Sequence, residues 1–141
     1  MTTATVERAF PARIVKADDE QRIAYGVVLE PRGPANPDSQ GDWHTAPDVE
    51  HAAHLFMTHV AKGEGFGDLM HDDETRAGYP VESYIAPVDF VLGDQLVTAG
   101  SWVVGMHYPE DAHWAVVKAA MADGLGAFSV TGIGKRIWED S

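Results

Sequence analysis

"PARIVKADDEQRIAYGVVLEP", residues 11–31, decides the architecture. Ile14 and Val15 belong to an apolar run, Asp18–Asp19–Glu20 is a polar turn, and Ile23, Tyr25, Val27 and Leu29 then alternate with other residues. Alternation at a period of two, broken by a short polar link, predicts a β-hairpin. A hairpin pairs its strands antiparallel, so the sheet it nucleates is mainly antiparallel.

Downstream, "PRGPANPDSQGDW" (31–43) carries three prolines and two glycines and predicts a long loop. Thr45 is placed to cap a helix whose early Pro47 suits the first turn. Val49, Ala52, Ala53, Phe56, Met57 and Val60 recur at helical spacing and predict its buried face. "KGEGFGDLMH" (62–71) predicts a short strand ending near His71, and "DDETRAGYP" a polar connection. "VESYIAPVDFVL" (81–92) and "QLVTAGSWVVGMHY" (95–108) each predict a strand, with Pro87 marking an edge or bulge in the first. In "PEDAHWAVVKAAMADG" (109–124), Pro109 starts a second amphipathic helix. Trp114, Val117 and Met121 form its inward face and Gly124 its stop. "AFSVTGIGKRIW" closes the chain with a last strand or hairpin. The predicted order is β-β-α-β-β-β-α-β. The expected fold is α+β: a mainly antiparallel barrel or strongly curved sheet flanked by two helices, in one domain over 1–141.

Bulk chemistry narrows the function. The 141 residues carry 22 acidic against 10 basic side chains, a formal net charge of −12. Phosphate binding needs clustered Lys and Arg, so nucleic acid and anionic membrane surfaces are poor partners. With no cysteine there is no disulfide, thiolate metal site or Cys nucleophile. The N-terminus has no signal-peptide pattern, and no apolar run approaches the roughly 20 residues of a membrane span. Cytosol, or a particle assembled there, is the expected location.

Three side chains carry candidate chemistry. Ser129 sits among Gly124, Gly126, Gly132 and Gly134, where the backbone can approach closely and take unusual dihedrals. Taken alone it reads more readily as a strand serine than as a nucleophile. His71, in "DLMHDDE", is a candidate general base, and Asp72 and Asp73 favour its charged form; a surface histidine is the competing reading. Glu82 is a charge inside an apolar strand, facing solvent or orienting a histidine as the third member of a triad; Asp89 is a weaker candidate of the same kind. His51 and His54 stand i, i+3 on the first helix, but no His-Glu-x-x-His pattern occurs, and solvated helix histidines are the stronger reading. No metal and no cofactor is expected. Trp43, Trp102, Trp114 and Trp138 read as core or interface anchors. Gly134–Lys135 lacks the following Ser/Thr of a phosphate loop.

Several stretches taken in order add a resemblance. "YGVVLEP", "DSQGDWHTAPDVEHAAHLFM", "MHDD", "VESYIAPVDF", "GSWVVGMH" and "GAFSVTGIGKR" resemble the tailed-phage "putative serine protease" family of the XkdF type, over residues 23 to 136. The resemblance implies kinship with prohead proteases and with the herpesvirus assembly-protease fold. It implies cleavage of scaffold or capsid protein inside an immature head. It makes Ser129 the nucleophile, His71 its base and backbone N–H groups near Gly132 to Arg136 the oxyanion donors. In that wider group the third member commonly follows the serine, yet only Glu139 and Asp140 remain here. Three readings stand: a processed or longer chain, an upstream carboxylate such as Glu82, or a fold kept without activity. The alternative to a serine endopeptidase is therefore a non-catalytic head or decoration protein. The expected partners are scaffold or major capsid protein, with homo-oligomers open, and the expected place is the host cytoplasm, inside the prohead or virion.

Overall fold

The computed structural model describes residues 6–38, 41–63, 66–67, 78–124 and 126–134. Ten elements follow in the order β1 (Val6–Asp18), β2 (Ile23–Leu29), α1 (Ala46–Ala61), β3 (Phe66–Gly67), β4 (Tyr79–Ile85), β5 (Phe90–Leu92), β6 (Gln95–Val97), β7 (Trp102–His107), α2 (Asp111–Ala122) and β8 (Ala127–Gly134). The architecture is α+β with two helices, as the periodicities require. Six strands form one sheet in the order β3-β8-β1-β2-β7-β4, and β5 and β6 form a separate two-stranded sheet. All described pairings are antiparallel.

Among the described residues no ladder joins the edges β3 and β4, so the six-stranded sheet is not closed into a barrel. The two edges nonetheless approach, with Cα atoms within 8 Å. The segments 81–92 and 95–108, each expected as one strand, are each broken in two. Ala86–Pro87 interrupts the first, since proline has no N–H for a ladder. Thr98 to Ser101 turns the second, with Gly100 at φ 90°. The result is the extra β5–β6 hairpin.

The sheet's two faces are covered differently. Ala12, Ile14, Ala24, Val28, Val104 and Met106 point to the helices, where they meet Val49, Ala52, Ala53 and Phe56 of α1 and Trp114 and Val117 of α2. Phe56 and Trp102 pack at 5.6 Å between ring centroids. Thr45 caps α1: its hydroxyl accepts from the Asp48 N–H and the Asp48 carboxylate accepts from the Thr45 N–H. Met57, expected on the buried face, is 41 % exposed. α2 is tied to the β1–β2 turn, where Trp114 Nε1 donates to Asp19 Oδ1 at 2.7 Å and Lys118 pairs with the same oxygen at 3.1 Å. Val15, Tyr25, Val27, Tyr84 and Val103 lie in the second cluster, where Phe90, Leu92 and Val97 of the small hairpin cover them.

The hairpin sits on β1 through a glycine. Gly93 has φ 61°, and a Cβ built there would lie 2.0 Å from the Val15 carbonyl oxygen. Only a residue without a side chain allows both the turn and the contact. Gly93→Ala is therefore expected to cost more than about 1 kcal/mol and to lower the thermal midpoint by several degrees, measured by circular dichroism. Gly33→Ala, where an added Cβ meets nothing within 4 Å and φ is not in the left-handed region, is the matched control and should melt with the wild type.

Candidate functional site

β8 begins three residues after Gly124, the φ 72° glycine that ends the second helical turn region. It lies inside the sheet, with β1 on one side and β3 on the other. Ser129 is opposite Pro11 in the β1–β8 register, and its neighbours Val130 and Thr131 pair with Gly67 and Phe66. The backbone around Ser129 is thus held from both sides. In the same register Ala12 pairs with Phe128 and Arg13 with Ala127. Ala12 is buried under the helices and Arg13 is exposed on the reverse face. Alternation along the ladder places position 129 on the face of Arg13, away from the helices.

His71 lies outside the described residues, as does Trp138. Its chain position carries information all the same. The chain leaves β3 at Gly67, beside Val130, and enters β4 at Tyr79, so His71 belongs to the link between those two strands. Glu82 is on β4, opposite Gly105 of β7, which in turn faces Tyr25 of β2. Through β7, β2 and β1, Glu82 is four strand spacings from Ser129, roughly 19 Å across the strands, with a further offset along β1, where the row of Glu82 reaches Lys16 and Ser129 pairs with Pro11. Round the other way there is one spacing from β8 to β3, then the β3–β4 gap that the two edges narrow to 8 Å or less.

Glu82 is exposed and accepts a 2.6 Å hydrogen bond from the Tyr25 hydroxyl at Oε2. That bond, followed by burial and the charge of Glu82, pushes the Tyr25 phenol up to about 12. Burial, then Glu82, raises Tyr84 as well. Lys16 stands over the Tyr25 ring at 5.5 Å. Tyr25 reads in the sequence only as an alternating strand residue, and nothing local signals its bond to a glutamate 57 positions away. Ser83, on the other side of β4, accepts from Trp102 Nε1 at 2.9 Å, which makes Trp102 a core anchor with a satisfied N–H. Trp114 is likewise buried, whereas Trp43 is 44 % exposed. Asp89 holds a turn by accepting the Ala99 N–H at 2.7 Å. Among the described residues no group of three His, Cys, Asp or Glu side chains could hold a metal ion. No helix among them is long and apolar enough to cross a membrane.

Comparison with known proteins adds the family. Residues 12–138 match the family model described as "Putative phage serine protease XkdF". The chain belongs to this family. It is 40% identical over 106 residues to the phage-like element PBSX protein XkdF of Bacillus subtilis (strain 168), covering 75% of this chain and 36% of that protein. It is 34% identical over 124 residues to the uncharacterized protein YqbD of the same organism, covering 88% of this chain and 35% of that protein. The chain thus spans about a third of the length of the curated relatives it matches. No solved structure matches it.

The Tyr25–Glu82 bond has a pH signature. The folded phenol holds its proton above the value of about 10 usual for an unfolded tyrosine. Its stabilising contribution is therefore complete below pH 10 and is lost as pH rises from 10 through about 12. In Glu82→Gln the carboxylate charge is gone, and the Tyr25 transition should move down towards 10 in an absorbance titration of the tyrosines. An unchanged titration curve would mean that Tyr25 and Glu82 are not bonded in solution.

Proposed function

We propose that the chain is the protease portion of a phage head-maturation serine endopeptidase that cleaves scaffold or capsid protein in the prohead. The observation that carries the reading is the placement of Ser129. It lies mid-strand in β8, the strand that follows α2, opposite Pro11 of β1 and beside Val130 and Thr131, which pair with β3, in a family described as "Putative phage serine protease XkdF". A nucleophile needs such a rigid support, because small displacements of the attacking oxygen lower the rate steeply.

In this reading Ser129 Oγ attacks the scissile carbonyl while His71 takes its proton. The tetrahedral oxyanion is held by backbone N–H groups in the glycine-rich segment after the serine. His71 then gives the proton to the leaving amine, and an acyl-enzyme remains. Water, deprotonated by His71, hydrolyses that ester and returns Ser129 to its starting state. Glu82 is the proposed carboxylate behind the histidine. It is supported by its place on β4, across the β3–β4 gap from β8 and at the end of the link that carries His71. Tyr25 fixes one of its oxygens. The approach of the two sheet edges also supports the expected barrel-like curvature and the kinship with the assembly-protease fold. A scaffold or capsid protein is the proposed partner, and the interior of the assembling head the proposed place of action.

Ser129→Ala should abolish processing of co-expressed scaffold or capsid protein, with a loss in rate of at least about 10³-fold. His71→Ala should fall comparably, and Glu82→Gln by a smaller factor. Processing is read as the shift of the substrate band on a denaturing gel. Unchanged processing in Ser129→Ala overturns the proposal. Retention of the uncleaving variant in stoichiometric copies in mature particles would favour a structural head protein instead.

A further inference from the structure

A groove of about 270 Å³ opens on the face of the sheet that the helices leave uncovered. Val15 and Val27 of the sheet, Leu96 of the β5–β6 hairpin and Trp43 of the 31–43 loop are among its apolar lining. Leu96 is 64% exposed and Trp43 44% exposed, so apolar surface is left facing water. A second cavity of about 180 Å³ shares Arg13, Val15 and Gln95 with the first and reaches Gly126, the residue before β8. Arg13 therefore stands where the two meet.

Arg13 is an unusual cation for this chain. Acidic residues outnumber basic ones 22 to 10, and the other described arginines are paired, Arg22 with Asp111 and Arg32 with Glu30, as is Lys118 with Asp19; Lys16 lies over the Tyr25 ring. Among the described residues, no carboxylate lies within 4.0 Å of the Arg13 guanidinium. Of the carboxylates that line the two cavities, Glu30 pairs with Arg32 and Asp38 receives the Asp42 N–H, while Asp42 in the groove and Asp94 at the hairpin turn make no ion pair with Arg13. The ladder sets Arg13 opposite Ala127, which makes it the diagonal neighbour of position 129 on the same face. Such neighbours are roughly 7–8 Å apart between Cα atoms, within the reach of an arginine side chain.

We propose that this groove is the substrate groove of Ser129, and that Arg13 selects an aspartate or glutamate in an extended segment whose apolar side chains lie against Val15, Val27 and Leu96. The inference rests on the protease reading for Ser129 and adds the substrate class. At long range the net charge of −12 repels an acidic segment. Discrimination in favour of a carboxylate must then be local, and an unpaired guanidinium beside the nucleophile's strand supplies it by a charge-assisted pair of hydrogen bonds.

The test uses the full chain in two measurements. In the first, a peptide library cut from denatured bacterial protein is digested with wild type, Arg13→Lys, Arg13→Ala and Arg13→Glu, and the cleaved sequences are read by mass spectrometry. Wild type should enrich Asp or Glu at one position near the cut. Arg13→Lys should keep part of that preference. Arg13→Ala should lose it with a fall in kcat/KM of about 10-fold or more on acidic sites, and Arg13→Glu should turn it towards Lys and Arg. In the second, fluorescence anisotropy follows a labelled acidic peptide and its Glu→Gln counterpart on Ser129→Ala protein, with and without Arg13→Glu. The acidic peptide should bind about 10-fold tighter, and the contrast should vanish or reverse in Arg13→Glu. Cleavage by wild type with no acidic enrichment, or with a profile unchanged in Arg13→Glu, overturns the inference and leaves the protease reading standing. A Glu-to-Gln contrast in binding without any cleavage upholds the acidic groove and overturns the protease reading. Equal binding of the two peptides overturns the inference whatever the cleavage.

Discussion

β1 pairs with β8 over residues 6–13 and with β2 over residues 14–18, and the rest of the molecule depends on those two pairings. A strand's side chains alternate between faces, so one register decides two things at once. It turns Ala12 and Ile14 to the helices and Arg13 and the Ser129 position to the other side. A slip of one residue in β1 would bury a guanidinium and expose a core isoleucine. The core therefore enforces the register, and the register places the candidate nucleophile.

The two faces divide the work. The helix face holds the larger apolar cluster, with Trp102 and Trp114 keeping their N–H groups satisfied by Ser83 and Asp19. A buried indole with an unmet donor would be costly, so these two polar partners belong to the core as much as the rings do. The opposite face is only partly covered, by a hairpin of three-residue strands seated on β1 through Gly93. Partial cover leaves grooves, and grooves beside a rigid strand are where a site can form without sacrificing the core.

Electrostatics on that open face are sparse and specific. Glu82 is engaged by Tyr25, and Arg32 by Glu30. Arg13 has no described partner of this kind. In a chain with so large an acidic excess, where each cation sits matters more than how many there are. An isolated pair on the surface contributes little to stability, so these arrangements are better understood through what they hold in place.

Much of this was legible in residues alone. The 11–31 hairpin, the Thr45 cap with Pro47 behind it, and the inward face of α1 except Met57 follow from period, capping and turn chemistry, which act within a few residues. The same locality marked Pro87 as an edge or bulge, though not that 81–92 and 95–108 would each break in two and pair two of their pieces as a hairpin. Ordered motifs pointed to the family and, through it, to Ser129 and His71, whereas Glu82 stood out only as a charge inside an apolar strand. The tertiary structure decided what depends on distant pairing: that β8 returns to lie beside β1, that β3 and β4 approach as edges, that Tyr25 holds Glu82, and that Arg13 is a neighbour of the Ser129 position. No local pattern encodes those contacts. Each joins residues far apart in the chain, and only the packing of two differently covered sheet faces determines which of them meet.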